Sequence, residues 1–428
     1  MLKKILFLLL LPLLLQAYTM NELFSALDKH SQTKADEMLV FKSETSVDLV
    51  LSKLYPTINL FASYDSYLNP VGVIAIPPNE LLQMVKDISV AQPFSSDITR
   101  FGAKVTMPIF VKSIYTLVDS AKALHKSNQA QKRINTIKNE ALIVGSNANF
   151  IYLEALKRSL NIKEKSLLET KKSVQLKVDN GRLMASALYK IDDSLNQISI
   201  AKNSIDIQAK TTISTIESLT GIVLFKPINM QRKAKFSENN FNSLEPLKEK
   251  IGANILNIKA QKEKLYPSLT LHGSYTYSQA EAYNNNKNIA EEYSNIGLIL
   301  GMPFFDKSKY ENISLAKVKL KSSQIALEKS IDILKAKSRM LQSSLVLLDN
   351  SQTLYEKSIQ NKKKLLVIAK ANFKSGRLST EEYLRYEDDV VAEEANLYKT
   401  EALKWQANMQ LAVIYANKIE EMVKWVNL

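Results

Sequence analysis

Four stretches of this chain alternate apolar and polar residues, and they interrupt a sequence otherwise patterned for helix. In 57–67, Ile58, Leu60, Ala62 and Tyr64 oppose Asn59, Phe61, Ser63 and Asp65. In 99–108, Phe101, Ala103, Val105 and Met107 oppose Arg100, Gly102, Lys104 and Thr106. In 268–278, Leu269, Leu271, Gly273, Tyr275 and Tyr277 oppose Ser268, Thr270, His272, Ser274, Thr276 and Ser278. The fourth, 294–303, carries Asn295-Ile-Gly-Leu-Ile-Leu-Gly-Met302 and stops at Pro303. A period of two places alternate side chains on opposite faces and predicts strands. Elsewhere the spacing predicts helix over 21–53 and 244–265, two long helices at 113–178 and 308–373, and return helices at 184–219 and 379–417. A helix over 308–373 would extend about 100 Å at the usual rise per residue, far beyond the roughly 11–12 residues of an ordinary globular helix.

The long helices repeat every seven residues. Leu320, Leu327, Leu334, Leu341, Leu348 and Tyr355 form one seam, with Gln324, Ile331, Ser338, Leu345, Gln352 and Ile359 beside it. In the other long helix Ile137, Val144 and Ile151 alternate with Ala141, Ala148 and Ala155. Sustained heptads predict supercoiled helix pairs. The polar seam positions Gln324, Ser338 and Gln352 suit a sheath of helices better than a dry dimer; a plain antiparallel bundle is the alternative.

The chain is also duplicated. Gly102, Met107 and Pro108 match Gly297, Met302 and Pro303 at an offset of 195, and the same offset carries Gly181-Arg182-Leu183 onto Gly376-Arg377-Leu378. Tyr55-Pro56 recurs as Tyr266-Pro267 at an offset of 211. Repeats at fixed spacing decide architecture before single elements do. The predicted organisation is a first repeat over 18–221, a connector over 222–243 containing Pro227, and a second repeat over 244–428. Asp179-Asn180-Gly181 and Lys374-Ser375-Gly376 are helix-ending residues. Thr380, followed by Glu381 and Glu382, reads as a cap with acids in the first turn.

Segments of about ten alternating residues are a membrane-barrel pattern, which a half-buried soluble sheet shares. Tyr64, Tyr67, Tyr275 and Tyr277 gather at strand ends, as at a membrane interface. Four strands are too few to close a membrane barrel, and an open edge cannot face lipid. A barrel would therefore need several copies of the chain. The intervening stretches 68–98 and 279–293 read as exposed loops.

Composition narrows the compartment. Residues 1–17 have a secretory-leader pattern: Lys3 and Lys4, an apolar run from Ile5 to Leu15, and Leu15-Gln16-Ala17 for cleavage. The apolar run is too short for a membrane helix. With no cysteine, disulfides, thiolate metal sites and a cysteine nucleophile are excluded; the three histidines, His30, His125 and His272, lie far apart in sequence. The formal charge of +14 comes from lysines scattered among glutamates on helices, a pattern of solvated faces rather than of a nucleic-acid site. No cluster of nucleophile, base and metal ligands marks an enzyme, and no cofactor or metal is expected.

The order helix, Tyr-Pro, strand, strand, Pro-aromatic, long helix, Gly turn, return helix, given twice, resembles the TolC family of outer-membrane efflux and secretion channels. The pieces that carry the resemblance are Leu265-Tyr-Pro-Ser-Leu-Thr-Leu271, Gly301-Met-Pro-Phe-Phe-Asp306 and Phe373-Lys-Ser-Gly-Arg-Leu378. The resemblance implies a mainly α protein with a membrane β-barrel portion, built as a homotrimer. It implies a 12-stranded barrel in the outer membrane of a Gram-negative bacterium, continuous with an α-helical tunnel through the periplasm. It further implies a passive conduit of a tripartite efflux pump or type I secretion system, partnered by a periplasmic adaptor and an inner-membrane pump. The adaptor would dock at the tips, Gly181, Arg182, Leu183, Gly376, Arg377 and Leu378. The family's acidic entrance positions fall here on Glu382 and Arg385, with Glu381 adjacent, and on Ala187 and Lys190 in the first repeat. An Arg/Glu network closing the tip, from Glu381, Glu382, Arg385 and Lys190, replaces an acidic ring; an ordinary surface pair between Glu382 and Arg385 is the alternative. Arg100 and Lys104 would face the lumen. The rival from another class is a periplasmic or surface coiled-coil protein for structure or adhesion.

Overall fold

The computed structural model describes residues 18–75, 89–233, 238 and 241–425; the expected leader at 1–17 lies outside them. In chain order the elements are α1 (Met20–Lys29), α2 (Ser31–Leu51), β1 (Thr57–Gly72), β2 (Phe94–Phe110), α3 (Lys112–Asp179) and α4 (Ser186–Thr220). There follow β3 (Met230–Arg232), α5 (Glu245–Glu263), β4 (Ser268–Glu281), β5 (Asn288–Gly301), α6 (Lys307–Lys374), α7 (Thr380–Tyr415), α8 (Ile419–Met422) and β6 (Val423–Trp425). The chain divides into two compact units. One holds residues through 40, 128–246 and from 327 onward, and the other holds 41–127 and 247–326.

The second unit contains an antiparallel sheet in the order β1-β2-β4-β5. Ile58 pairs with Val105, Val105 with Gly273, and Gly273 with Ile296. One rung over, Asn59, Lys104, Ser274 and Asn295 form a polar row. Paired residues in an antiparallel ladder share a face, so the two-sided character read along each strand extends across all four. The apolar face is bare: Leu60 is 83% exposed and Ile296 79%. Outer strands β1 and β5 have no further strand beside them among the described residues.

The strands run past the limits set by hydrophobic alternation. β1 reaches Gly72 through a register shift between Ser66 and Val71, and β4 and β5 stay paired out to Glu281 and Asn288. The loops expected at 68–98 and 279–293 are correspondingly shorter. Backbone pairing continues where side chains turn polar, since the ladder bonds need no particular side chain. Val73, Ile98, Ala280, Ala282 and Ile289 bury together at this end of the sheet. At the other end Pro108, which has no N–H to give, sits at a register break in β2.

The duplicated glycines have a shared use. Phe61 faces Gly102 across β1 and β2, and His272 faces Gly297 across β4 and β5. Phe61 and His272 are themselves counterparts at the 211-residue offset. Each ring occupies the space a side chain would take: a Cβ on Gly102 would come within 2.7 Å of the Phe61 ring, and one on Gly297 within 2.7 Å of His272. At Gly102 the carbonyl oxygen of Tyr275 would also lie 2.3 Å away.

The first unit is helical. Its core joins Met20, Leu23, Phe24 and Leu27 of α1 to Ile137, Ala141, Val144, Phe150 and Leu153 of α3 and Ile191, Ile198, Ile205 and Ile216 of α4. α1 starts with a capping box in which Thr19 and Glu22 satisfy each other's backbone N–H groups. The isoleucines of α4 keep the heptad spacing too, 191, 198, 205, so the seam lies on both helices of this hairpin. Alanines 141, 148 and 155 are buried, as close helix approach requires. On α6 only Ser338, Leu341 and Ile359 of the expected seam are fully buried. The connector and the chain end hold an element without periodic signal: β3 pairs with β6, Met230 against Trp425 and Arg232 against Val423. No helix among the described residues is long and apolar enough to cross a membrane.

Two outcomes test these packing arguments. Gly102→Ala and Gly297→Ala should each destabilise the sheet by about 1–3 kcal/mol, read as loss of the folded band on unheated detergent gels. Adding His272→Ala should rescue Gly297→Ala, whereas adding Phe61→Ala should not rescue Gly102→Ala, because the Tyr275 backbone remains in the way. In the helical unit, burial, then the charges of Glu420 and Asp28, push the Glu140 carboxyl up to about 7. The folded state therefore holds this proton more tightly than the unfolded chain, so stability falls as pH rises through about 7. Glu140→Gln should raise the thermal midpoint at pH 8 by a few degrees and leave it unchanged near pH 4; equal effects at both pH values would contradict this.

Candidate functional site: the two helix-hairpin turns

Both long helices end in the same backbone construction. After α3, Gly181 N–H donates to Val178 O at 2.9 Å and Arg182 N–H to Lys177 O at 2.7 Å. After α6, Gly376 N–H donates to Phe373 O at 3.1 Å and Arg377 N–H to Asn372 O at 2.9 Å. These are paired Schellman closures, which satisfy the last helix carbonyls and require a left-handed residue. Gly181 has φ 68° and Gly376 φ 78°. Nothing lies within 4 Å of where either Cβ would be, so the glycines answer to backbone conformation and not to space.

The two residues after each glycine have opposite environments. Arg182 and Arg377 are exposed, while Leu183 and Leu378 pack against the core. Each turn thus anchors a leucine and presents an arginine. Met184, 80% exposed, adds an apolar side chain to the first turn.

The return helices begin differently. α4 has Ala185 at its cap position and no side-chain cap. α7 is capped by Ser379, not Thr380 as its sequence suggested. The Ser379 Oγ accepts from Glu382 N–H at 3.2 Å, and Glu382 Oε2 accepts from Ser379 N–H at 3.0 Å and from its hydroxyl at 2.8 Å. Those bonds hold the Glu382 carboxyl below its usual value. Ser379-x-x-Glu382 has the spacing of a capping box, one residue ahead of the cap expected at Thr380.

Glu382 and Arg385 form no ion pair among the described residues, although the Arg385 charge adds to what holds the Glu381 and Glu382 carboxyls low. The contact that does form joins the two repeats: Lys190 Nζ of α4 donates to Glu381 Oε2 of α7 at 2.7 Å. That hydrogen bond and charge hold the Glu381 carboxyl below its ordinary value. Ala187, one turn before Lys190, packs half-buried against the core.

Behind the turn lies a buried polar cluster that sequence reasoning missed. Tyr383 is fully buried, its ring stacked on Phe373 at 4.8 Å between centroids. Its hydroxyl donates to Glu387 Oε1 at 2.5 Å, and Ser166 of α3 donates to the same oxygen at 2.7 Å. Burial and the bond to Glu387 push the phenol up to about 12. Lys163 of α3 pairs with Asp388, and Ser159 reaches Glu394 at 2.5 Å. On the other side of α7, Lys362 of α6 reaches Glu393 at 3.0 Å and Lys363 reaches Glu394 at 2.7 Å. An acidic α7 therefore lies between lysines on α3 and α6. The only sequence sign was the run of acids Glu387, Asp388, Asp389, Glu393 and Glu394.

In the sheet unit, Arg100 and Lys104 share the polar face. Arg100 reaches Asp65 at 2.6 Å, and the Lys104 ammonium lies 4.8 Å from the Phe61 ring centre. Both charges thus have local partners. Among the described residues no group of three acidic, histidine or cysteine side chains could hold a metal ion.

The fold is that of the TolC-family outer-membrane channels. Among solved structures, the CmeC outer membrane channel of Campylobacter jejuni superposes with a TM-score of 0.74, over 92% of this chain and 85% of its own, at 14% identity. VceC, an outer membrane protein of Vibrio cholerae, matches with a TM-score of 0.74 over 92% of this chain and 96% of its own, at 11% identity. The outer-membrane channel OprN matches with a TM-score of 0.76 over 93% and 90%, at 13% identity. At such identities the likeness is one of fold. No family model matches the sequence, and no curated protein matches it by sequence alone.

The turn geometry yields a prediction. Gly376→Ala should cost about 1 kcal/mol through its positive φ, and Ser379→Ala about 1 kcal/mol through the lost cap. Hydrogen exchange should show the effects confined to the turn and the first turn of α7. Unchanged protection at residues 380–383 in Ser379→Ala would refute the capping assignment.

Proposed function

We propose that this chain is the outer-membrane channel of a tripartite efflux pump or type I secretion system, a passive conduit that catalyses nothing. The observation that carries the reading is the four-stranded sheet with one bare apolar face and two open edges. In lipid, every N–H and C=O must be paired within protein, so β1 of one copy must meet β5 of another. Because neighbours alternate in direction along β1-β2-β4-β5, that joint is antiparallel too, and the alternation of a closed barrel is kept. Three copies give the 12-stranded barrel of the family expectation.

α6 supports the same assembly in the helical unit. Beside its seam, Ile333, Met340, Leu347 and Leu354 recur at seven-residue spacing and stay exposed, and Ile368 continues the row after a polar Asn361. A second heptad stripe on one helix suits a neighbouring helix from another copy. The channels CmeC and OprN share this fold as outer-membrane channels, and that likeness supports the outer membrane as the location of this chain.

The two glycine turns are the proposed docking points for a periplasmic adaptor, with Arg182, Arg377 and Met184 exposed and Leu183 and Leu378 as anchors. The proposed gate is the Lys190–Glu381 bridge between return helices, with Arg385 available to a neighbouring copy. An adaptor that separates α4 from α7 would break the bridge and widen the entrance.

Planar bilayers test both parts. The purified protein should form channels, and Lys190→Glu or Glu381→Lys alone should raise the open fraction, while the double swap should restore closure. Impermeable liposomes would remove the conduit. Conductance unchanged in both single variants would remove the gate and leave the conduit standing. Release from membranes by osmotic shock or salt, without detergent, would favour the coiled-coil adhesive alternative.

A further inference from the structure

The helical unit carries a hollow of about 360 Å³, between α3, α7 and β3, that the conduit does not use. Its floor is two small residues, Ala148 of α3 and Ala402 of α7, both buried. Tyr398, Glu401 and Trp405 lie three and four residues apart on α7, so they project from one face of that helix. Tyr152 stands one turn beyond Ala148 on α3, and Met230, held in β3 by pairing with β6, completes the rim.

The charge of this hollow is unbalanced. No lysine or arginine lines it. Lys404, next along the helix, is engaged elsewhere, at 2.5 Å from Asp349 and 2.6 Å from Gln352. Glu401 makes no hydrogen bond or ion pair among the described residues. Its side chain is exposed at the rim of the hollow, where partial desolvation raises its carboxyl above the ordinary value, against the opposing charge of Lys404 and with help from Glu356. An adjoining hollow of about 350 Å³ shares Met230, Glu401 and Trp405 with the first, and Arg232 and Lys404 line it but not the hollow common to the three rings. There, Asn408 is 4% exposed and its side-chain oxygen accepts nothing.

Three aromatic rings with an unpaired carboxylate form an environment that selects its ligand by charge and hydration. Ring faces attract cations through their quadrupole, most strongly when the cation sheds water easily. A small metal ion needs several oxygen ligands, and the hollow offers one carboxylate. A neutral apolar molecule would cover the exposed Glu401 carboxylate and strip its water without giving it a partner, which is costly. We propose that this hollow is a binding site for an organic monocation of the quaternary-ammonium type.

Choline and its neutral carbon isostere 3,3-dimethyl-1-butanol are the probes, measured by equilibrium dialysis against full-length protein in a non-ionic detergent. Choline should bind saturably and at least about tenfold more tightly than the alcohol. Glu401→Gln, of equal size, should abolish the preference. Tyr152→Leu should weaken choline several-fold while Tyr152→Phe, which keeps the ring, should not. Size-exclusion profiles matching the parent exclude misfolding, and Tyr398→Leu serves as the second variant if one fails. Equal binding of the two probes, no saturable choline binding, or an unaltered preference in Glu401→Gln would overturn the proposal.

Discussion

Two rows of unpaired backbone groups govern the account. β1 and β5 are long outer strands of a sheet whose apolar face is bare, and such edges are unstable both in water and in lipid. In water an exposed flat edge invites uncontrolled pairing; in a bilayer each unpaired amide costs several kcal/mol. Copies joined edge to edge relieve both at once. The exposed heptad row on α6 makes an independent demand of the same kind, because an apolar stripe on a helix needs another helix.

The duplication shows which features the fold holds constant and which it lets diverge. Both halves place a ring over a glycine on the polar face of the sheet, Phe61 on Gly102 and His272 on Gly297. Both close their long helices with left-handed glycines and the same pair of backbone bonds. They differ just past those turns. The second return helix carries a capping box and the acids that meet α3 and α6; the first carries no cap. The helix bearing Tyr383, Glu387 and Asp388 is thus tied by charge and hydrogen bonds to α3 and α6, and α4 is tied to α3 by Lys157–Asp206 and Lys202–Glu164 as well as by its row of isoleucines. Polar ties can exchange for water when helices part, which buried isoleucines cannot do without loss of hydrophobic stabilisation.

Much of the fold was legible because it rests on period. Alternation marked four strands, heptads marked the long helices, and repeated Gly-Arg-Leu marked the turns. The strand ends were not legible past Tyr67 and Ser278, because pairing there is carried by backbone bonds under polar side chains. Nor were β3 and β6, three residues each, too short to show any period. At the tip, residue types alone do not say which side chains meet. Glu382 bonds within its own helix start and Glu381 reaches across to Lys190, a distinction that depends on where α7 begins and on the two return helices lying side by side. The Tyr383–Glu387–Ser166 cluster joins residues more than two hundred positions apart, and no local spacing announces it. Tyr398, Glu401 and Trp405 were visible as one helix face, but the hollow they line needs Ala148 and Tyr152 from a distant helix.

The absence of cysteine in the chain makes edge pairing directly measurable. With Asn59→Cys fixed on β1, a second cysteine walked along β5 from Glu291 to Leu300 reports which residues of another copy lie opposite, by non-reducing gel of protein in membranes. Intermolecular disulfides should be confined to one register, on alternate positions, in a ladder that stops at three copies. Failure to cross-link between copies at every position, or a ladder that grows without closing, would contradict edge pairing between copies.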